Sequence, residues 1–327
     1  MSGTPWPALP YDDWKDTYAT LHMWLQVVGK VALAQAPSIN HSWGIAFQVT
    51  SRGLSTYLLP YGERSFSIEF DFVSHQLRVQ PSDDAAQSLP LTSQSVADFY
   101  RRVMDLLRRM RLGVRIWTMP SEVLAPIRFE QDTIHHTYDP EQTHRFWTLL
   151  TRIVPVFSER RASFLGKASP VHFFWGGPDL AVTRFSGRPA PPREGPAFMR
   201  EAYSQEVMSH GFWPGGASLP EPVFYGYAAP EPVGFKEAVV RPSAAYYHKE
   251  LGEFILPYEA VRTSPDPAAV IRSFIDSTYD QAATLARWDR AALERQVELL
   301  ELPSRPAVSL EEVNPIATND HPDLGPG

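Results

Sequence analysis

Residues 172–188, with the sequence HFFWGGPDLAVTRFSGR, repeat the outline of an earlier stretch, residues 41–53, with the sequence HSWGIAFQVTSRG. Each stretch places a His shortly before a Trp, and then a Val-Thr pair before an Arg and a Gly. Runs rich in β-branched and aromatic residues are typical of strands. The two stretches therefore indicate that the chain contains two related units.

A long amphipathic helix is predicted before each of these stretches. In the first helix, apolar residues recur at three- and four-residue steps from about residue 13 to residue 34. The second runs from about residue 140 to residue 164, and Pro155 is expected to kink it. Each helix leads to a Gly-Lys pair, Gly29-Lys30 and Gly166-Lys167. The order of helix, Gly-Lys pair, His and strand thus occurs twice.

The parallel continues downstream. Residues 57–62 of the first half resemble residues 227–234 of the second. A strand is predicted to follow in each half, led by Phe66 in the first and by Phe235 in the second. Both halves are predicted to end in an amphipathic helix. These matches predict an α+β fold built from an internally duplicated α-β-meander-α unit, with mostly antiparallel sheets and two pseudo-symmetric lobes. The predicted lobes are residues 1–138 and 139–301, followed by a mobile tail, residues 302–327.

One segment of the second half has no counterpart in the first. Residues 189–222 contain a predicted helix from residue 196 to residue 209 and the string GFWPGG at residues 211–216. Long insertions in a compact domain are usually functional or disordered. Because this one carries Phe212 and Trp213, it is too apolar for disorder, and we expect it to roof a functional site.

Composition excludes several classes of protein. The chain has no Cys, which excludes disulfides, thiolate catalysis and sulfur-ligated zinc. Its net charge of −7 argues against general nucleic-acid binding, which requires a basic surface. No apolar run approaches the roughly 20 residues of a membrane helix, and no secretory signal is evident at the N-terminus. We therefore expect a cytoplasmic monomer or homodimer without nucleic-acid or membrane partners.

Several strings resemble a bacterial family of uncharacterised proteins that share a domain of unknown function. They are PYDDW at residues 10–14, TLHMW at 20–24, the following Gly-Lys pair, HFFWGGPDLAVTRFSGR at 172–188, EAYS at 201–204 and GFWPG at 211–215. The resemblance covers nearly the whole chain. It implies a single, stand-alone cytoplasmic unit, and it transfers no catalytic role to any residue.

A divalent metal site is one hypothesis for the polar residues of the second half. Glu206 and His210 are four residues apart and would share one face of the predicted helix. Together with His172 they would offer two nitrogen ligands and one carboxylate, a set suited to iron, manganese or zinc. The alternative is a solvated helix on which His210 caps the C-terminus.

His41 and His172 occupy equivalent positions in the proposed repeat, and they are candidates for general acid and base. The alternative is that each imidazole bonds to the backbone and packs beside its Trp. Arg184 is a candidate for orienting an anionic group, or else a partner in a structural ion pair. Tyr203 completes the predicted catalytic group.

The predicted substrate-binding residues are Trp43, Trp175, Asp179, Phe212 and Trp213. Pockets between domains, lined by aromatic rings with a few polar groups, are typical ligand sites. The sequence thus favours an enzyme that acts on a small organic molecule, anionic or aromatic, in a pocket between the lobes. The alternative is a non-catalytic module that binds a small ligand, or that binds a protein through an exposed GFWPGG segment.

Overall fold

In the computed structural model, which describes residues 6–295, both long helices predicted from the sequence are present. The helices are α1 (Tyr11–Gln35), α2 (Val96–Arg109), α3 (Pro140–Ala162), α4 (Ala197–Ala202), α5 (Tyr258–Arg262), α6 (Pro267–Leu285) and α7 (Arg290–Leu293). None of the helices in this range is long and apolar enough to span a membrane. The predicted tail, residues 302–327, lies outside the described residues.

Helix starts follow capping chemistry, in which a side-chain oxygen accepts hydrogen bonds from the first free N–H groups. Ser95 caps α2 in this way. Asp139 caps α3, and Pro140 lies in its first turn. The helix predicted at the end of the second half is present as α6, which begins with Asp266 as the cap and Pro267 in the first turn.

The first half of the chain forms a six-stranded antiparallel sheet. Its strands are β1 (Gln48–Val49), β2 (Gly53–Ser55), β3 (Leu59–Tyr61), β4 (Arg64–Asp71), β5 (Gln76–Pro81) and β6 (Gln87–Pro90). They pair in the order β1-β2-β4-β5-β6, and β3 pairs with β4 off this path. Phe66, Ile68 and Phe70 alternate along β4 and are fully buried, as expected for a strand with one core face.

The second half forms another six-stranded antiparallel sheet. Its strands are β7 (His172–Phe174), β8 (Asp179–Pro189), β9 (Gln205–Trp213), β10 (Val223–Ala229), β11 (Tyr246–His248) and β12 (Glu253–Pro257). Their order is β11-β12-β10-β9-β8-β7. The predicted α+β class with antiparallel sheets is therefore confirmed for the described residues.

A pair of backbone hydrogen bonds joins the two sheets at their edges. Phe47 N–H donates to the carbonyl of Phe173 at 2.7 Å, and Phe173 N–H donates back at 2.8 Å. Residues 6–294 form one compact unit. The α3 and α6 helices pack on one face of the second sheet, and parts of the first half approach its other face.

The predicted helix from residue 196 to residue 209 is wrong. Only the short α4 forms, and β9 begins at Gln205. Because β9 pairs with both β8 and β10 and is covered on both faces, its residues 206–212 (EVMSHGF) do not alternate between apolar and polar side chains. Periodicity therefore does not separate this stretch from a helix. The segment 189–222 thus supplies a central strand of the sheet.

The internal duplication is not confirmed. Both halves contain a long helix, a six-stranded antiparallel sheet and a further helix, but β3 branches from the strand order of the first sheet. The predicted strand after Phe235 is also wrong, because that residue begins a 3-10 helix, Phe235–Glu237.

Asp71 at the end of β4 is fully buried and supports the first sheet. Burial opposes its ionisation, but hydrogen bonds from Arg52, Ser74 and Val73 outweigh that effect and lower the pKa of Asp71 from 3.8 to about 2.

Asp71→Asn is expected to cost about 2 kcal/mol of unfolding free energy at pH 7. The loss should shrink as the pH falls from 4 to 2, because the wild-type carboxylate then takes up a proton. Urea denaturation at both pH values measures this, and an unchanged loss at low pH would contradict it.

Candidate functional site

A cavity of about 360 Å³ lies on the face of the second sheet opposite α3 and α6. Its floor consists of alternate residues of three strands: Asp179, Ala181, Thr183, Phe185, Val207, Ser209, Tyr225 and Tyr227. The first half contributes Leu33, His41, Ser42, Trp43, Ile45, Ser121 and Glu122, and the α4 region contributes Phe198, Met199, Ala202 and Tyr203. Both halves of the chain and the segment 189–222 therefore line the cavity.

Backbone strain is concentrated at this cavity. Six non-glycine residues in the described range have positive φ, and three of them line the cavity: His41 at 58°, Ser42 at 58° and Glu122 at 59°. Such conformations cost about 1–3 kcal/mol each and persist where the surroundings impose them, often at functional sites.

Trp175 forms one wall because α1 carries a glycine at the point of contact. A Cβ atom at Gly29 would lie 2.1 Å from the Trp175 ring, so only glycine allows the indole to lie against the helix. The indole Nε1 donates to the carbonyl of Ile45 at 2.9 Å. Lys30, the next residue of α1, is buried and donates to Ser121 Oγ at 2.6 Å.

Asp179 and Tyr225 meet across the central strand. The Tyr225 hydroxyl donates to the Asp179 carboxylate, and it passes over Gly211, where a Cβ atom would lie 2.2 Å from the tyrosine ring. Burial raises the pKa of Asp179 from 3.8 to about 7; the Tyr225 hydrogen bond opposes this shift in part, and Glu122 and Glu253 add to it. The Asp179 carboxyl group therefore exchanges its proton near neutral pH.

A ladder of tyrosines continues the floor. The ring of Tyr225 stacks on that of Tyr227 with centroids 6.0 Å apart, and the hydroxyls of Tyr227 and Tyr203 are 3.1 Å apart. Burial raises the pKa of both Tyr225 and Tyr227 well above 10. These hydroxyls therefore stay neutral hydrogen-bond donors and acceptors.

A second carboxyl group lies beside Asp179. The Glu122 carboxylate packs against Gly176, where a Cβ atom would lie 2.4 Å from Glu122 Oε1. Burial raises the pKa of Glu122, and Lys30 opposes that shift. The cavity thus has two carboxyl groups with raised pKa values, a pattern that marks functional sites.

His41 belongs to a hydrogen-bonded chain away from Asp179. Its Nε2 atom lies 2.5 Å from Lys167 Nζ, and its Nδ1 atom lies 3.3 Å from the carbonyl of Ala202. Lys167 has no acceptor capacity, so the imidazole accepts at Nε2 and donates at Nδ1. Burial, followed by Lys167, lowers the pKa of His41, which keeps the ring neutral.

Five residues predicted from the sequence line the cavity: His41, Trp43, Trp175, Asp179 and Tyr203. Their chemical roles stay predictions. His172 is buried outside the lining, with its ring 4.5 Å from that of Phe174, and burial lowers its pKa to about 4. No contact joins the imidazoles of His41 and His172, so the predicted acid–base pair of histidines does not form.

Arg184 and Phe212 point to the helix-covered face of the sheet instead. Arg184 donates to the carbonyl of Arg160, and its guanidinium lies 4.5 Å from the centroid of Tyr279. Phe212 is fully buried against Phe224. Neither residue can meet a ligand in the cavity, because successive side chains of a strand point to opposite faces.

The predicted metal ligands are not brought together. His210 bonds Thr278 of α6 at 2.8 Å, whereas Glu206 pairs with Arg188 at 2.6 Å. Within residues 6–295, no group of three His, Asp or Glu side chains is placed to hold a metal ion. The interpretation of Glu206 and His210 as neighbours on a helix was wrong, since both lie on β9.

Trp213 lies outside the cavity lining as well. It is partly buried, and a Cβ atom at Gly216 would lie 2.6 Å from its ring, so the GFWPGG segment folds back on itself. With Phe212 also buried, this segment does not present the exposed apolar patch that the protein-binding alternative requires.

Sequence reasoning missed four residues of the lining, Glu122, Ser209, Tyr225 and Tyr227, and also Lys167, which bonds the lining residue His41. The spacing of Tyr225 and Tyr227 was an available signal, because residues two apart on a strand share a face. Lys167 was noticed only as part of a repeated Gly-Lys pair. Glu122 lies in an irregular loop, where no periodicity marks a buried carboxylate.

The chain belongs to a family described as Family of unknown function (DUF5996), whose family model matches residues 6–295. This finding confirms the resemblance to a family with a domain of unknown function. No curated protein and no solved structure shows significant similarity to the chain.

Proposed function

We propose that this DUF5996 family member is an enzyme that binds a small organic molecule in the cavity and transfers a proton to or from it through Asp179. One observation carries the proposal: the Asp179 carboxyl group, with its pKa raised to about 7, lines the cavity beside the Tyr225 hydroxyl. A general acid or base is most effective when its pKa is near the working pH.

The lining also suits an organic ligand. Trp43, Phe174, Trp175 and Phe185 supply apolar, flat surfaces, and hydroxyl groups lie between them on the floor. A mostly apolar wall with a few polar groups is the usual composition of small-molecule sites. Tyr225 holds the Asp179 carboxyl in place and offers a neutral hydroxyl beside it.

A buried Tyr–Asp pair is also found as a purely structural feature. Two observations favour catalysis: Asp179 keeps accessible surface where it lines the cavity, and half of the strained non-glycine residues in the described range lie in the same lining. A Tyr–Asp pair with a purely structural role requires neither an accessible carboxyl group nor strained backbone residues around it.

Solvent-exchange NMR tests the proposal. A small-metabolite extract is incubated with the protein in D₂O, and signals that change only in its presence are followed over time. We expect wild-type protein to convert or deuterate at least one compound, and Asp179→Asn to reduce that rate by at least about 100-fold. Asp105→Asn is the matched control, because Asp105 is exposed on α2.

Two outcomes would contradict the enzymatic proposal. The first is a rate that Asp179→Asn leaves unchanged. The second is a compound that binds wild-type protein, detected by native mass spectrometry, without any chemical change. The second result would support the non-catalytic binding of a small ligand in the same cavity.

A further inference from the structure

We propose that Lys167 binds the carboxylate of the ligand, so that the molecules taken up by this cavity are elongated, mostly apolar carboxylic acids. This inference rests on the proposed binding of a small molecule in the cavity. It assigns a role to one of the two Gly-Lys pairs of the sequence.

Lys167 lies directly behind the cavity lining, where its ammonium group contacts the lining residues His41, Trp43 and Phe185. Its Nζ atom lies 4.6 Å from the ring centroid of Phe185 and 5.7 Å from that of Trp43, and both rings line the cavity. Among residues 6–295, no carboxylate forms an ion pair with Lys167. An ammonium group held among aromatic rings and without a carboxylate is suited to an anion from outside.

The hydrogen bonds of Lys167 leave capacity for a ligand. An ammonium group has three N–H donors. One is directed to His41 Nε2 at 2.5 Å and another to Gln205 Oε1 at 3.1 Å. Both acceptors are neutral, so they orient the ammonium group without cancelling its charge.

His41 is fixed as the neutral acceptor in this arrangement. Its backbone N–H lies 3.3 Å from Glu201 Oε1, and its Nδ1 bonds the carbonyl of Ala202. Glu201 therefore holds the backbone of the histidine, and it acts on Lys167 only at longer range, where it opposes the effect of burial on the pKa of Lys167.

The distance along the cavity floor between the Lys167 end and Asp179 determines how long a ligand must be to reach both. Phe185 and Asp179 are six residues apart on β8, and a strand rises about 3.3 Å per residue, so the floor extends about 20 Å between them. Ala181 and Thr183 line the floor in between. A carboxylate at Lys167 therefore directs the other end of an extended, mostly apolar molecule towards Asp179.

Lys30 is the alternative cation, and its surroundings fit the role less well. It is buried and donates to Ser121 Oγ, whereas Lys167 is only partly buried and is therefore easier for a ligand to reach.

The test compares 8-phenyloctanoate with its neutral amide, which has nearly the same shape. Dissociation constants are measured at pH 8 by titration calorimetry with the full chain. We expect wild-type protein to bind the acid about 10- to 100-fold more tightly than the amide, the range expected for one charge-assisted hydrogen bond. This comparison in the wild type requires no variant.

Variants then assign the preference. Lys167→Met should weaken binding of the acid to the level of the amide and leave the affinity for the amide within about twofold. Lys167→Arg should keep most of the preference. Lys236→Met, which removes an exposed lysine, should behave as the wild type.

Three outcomes would overturn the inference. If acid and amide bind the wild type equally, the cavity binds small molecules but does not select for a carboxylate, and the proposed function stands. If the preference persists in Lys167→Met, another group recognises the anion. If neither probe binds, the inference fails. The proposed function fails as well only if the solvent-exchange experiment with the metabolite extract also shows no reaction.

Discussion

Replacing Asp179 with Asn is expected to raise the unfolding free energy by about 2–4 kcal/mol at pH 8. In the folded protein, burial raises the pKa of this carboxyl group from 3.8 to about 7. Between pH 3.8 and about pH 7 the carboxyl group keeps its proton in the folded state and has lost it in the unfolded chain. The free energy of unfolding of the wild type therefore falls as the pH rises through this range. A pKa difference of one corresponds to about 1.4 kcal/mol, and the accessible cavity beside Asp179 reduces the effect below its upper limit.

The variant removes this dependence and keeps the shape of the site. Asparagine is isosteric, and its amide oxygen still accepts the hydrogen bond from Tyr225. Urea denaturation of both proteins at several pH values measures the difference, which should be near zero at pH 4 and should grow up to pH 8. Glu253, whose pKa burial also raises to about 7, is present in both proteins, so its direct contribution cancels. Parallel stability profiles for the two proteins would contradict the prediction.

Asp71 provides the opposite control. Its pKa is lowered by partners that stabilise the charge, so Asp71→Asn should reduce stability at neutral pH, whereas Asp179→Asn should increase it. A residue that reduces the stability of the folded state is commonly retained for function. If Asp179→Asn raises the stability and lowers the activity, the result would support both the raised pKa of the buried Asp179 carboxyl group and its proposed catalytic role.

Gly29→Ala is expected to destabilise the protein by about 2–3 kcal/mol, although the same change within a helix ordinarily stabilises by about 0.5–1 kcal/mol. The added Cβ atom would lie 2.1 Å from the Trp175 ring. The indole cannot shift freely towards the cavity, because its Nε1 atom is bonded to the carbonyl of Ile45 at 2.9 Å. Overpacking therefore outweighs helix propensity. Thermal and urea denaturation measure the change.

A double-mutant cycle identifies the contact as the cause. In a Trp175→Leu background the ring is absent, so Gly29→Ala should be neutral or slightly stabilising. In the wild-type background it should also weaken binding of 8-phenyloctanoate, since Trp175 lines the cavity. An equal cost in both backgrounds would mean that the destabilisation has a source other than the indole.

Much of the helical structure follows from the sequence. The apolar stripe of α1 and the caps at Asp139 and Asp266 are local signals, each complete within a few residues or turns. The predicted range from residue 13 to residue 34 lies within the observed Tyr11–Gln35. Local interactions of this kind act before the rest of the chain is in place, so they can be read without a tertiary structure.

The strands of the second sheet carry a weaker sequence signal, because both of their faces are covered. On β8, Thr183 faces the cavity, whereas Arg184 packs beneath α3 and α6. Nothing in the sequence distinguishes the two faces when both are buried, so the sequence does not show that Thr183, and not Arg184, faces the cavity. The error in β9 has the same cause.

The sequence alone determined the α+β class, the main helices, the family, and the aromatic and polar residues from which a site is built. Only the tertiary structure decided that Asp179 meets Tyr225 over Gly211, and that His41 meets Lys167 and not His172. These pairs depend on strand register and on the approach of distant segments. Both arise from packing of the whole chain, which no local pattern contains.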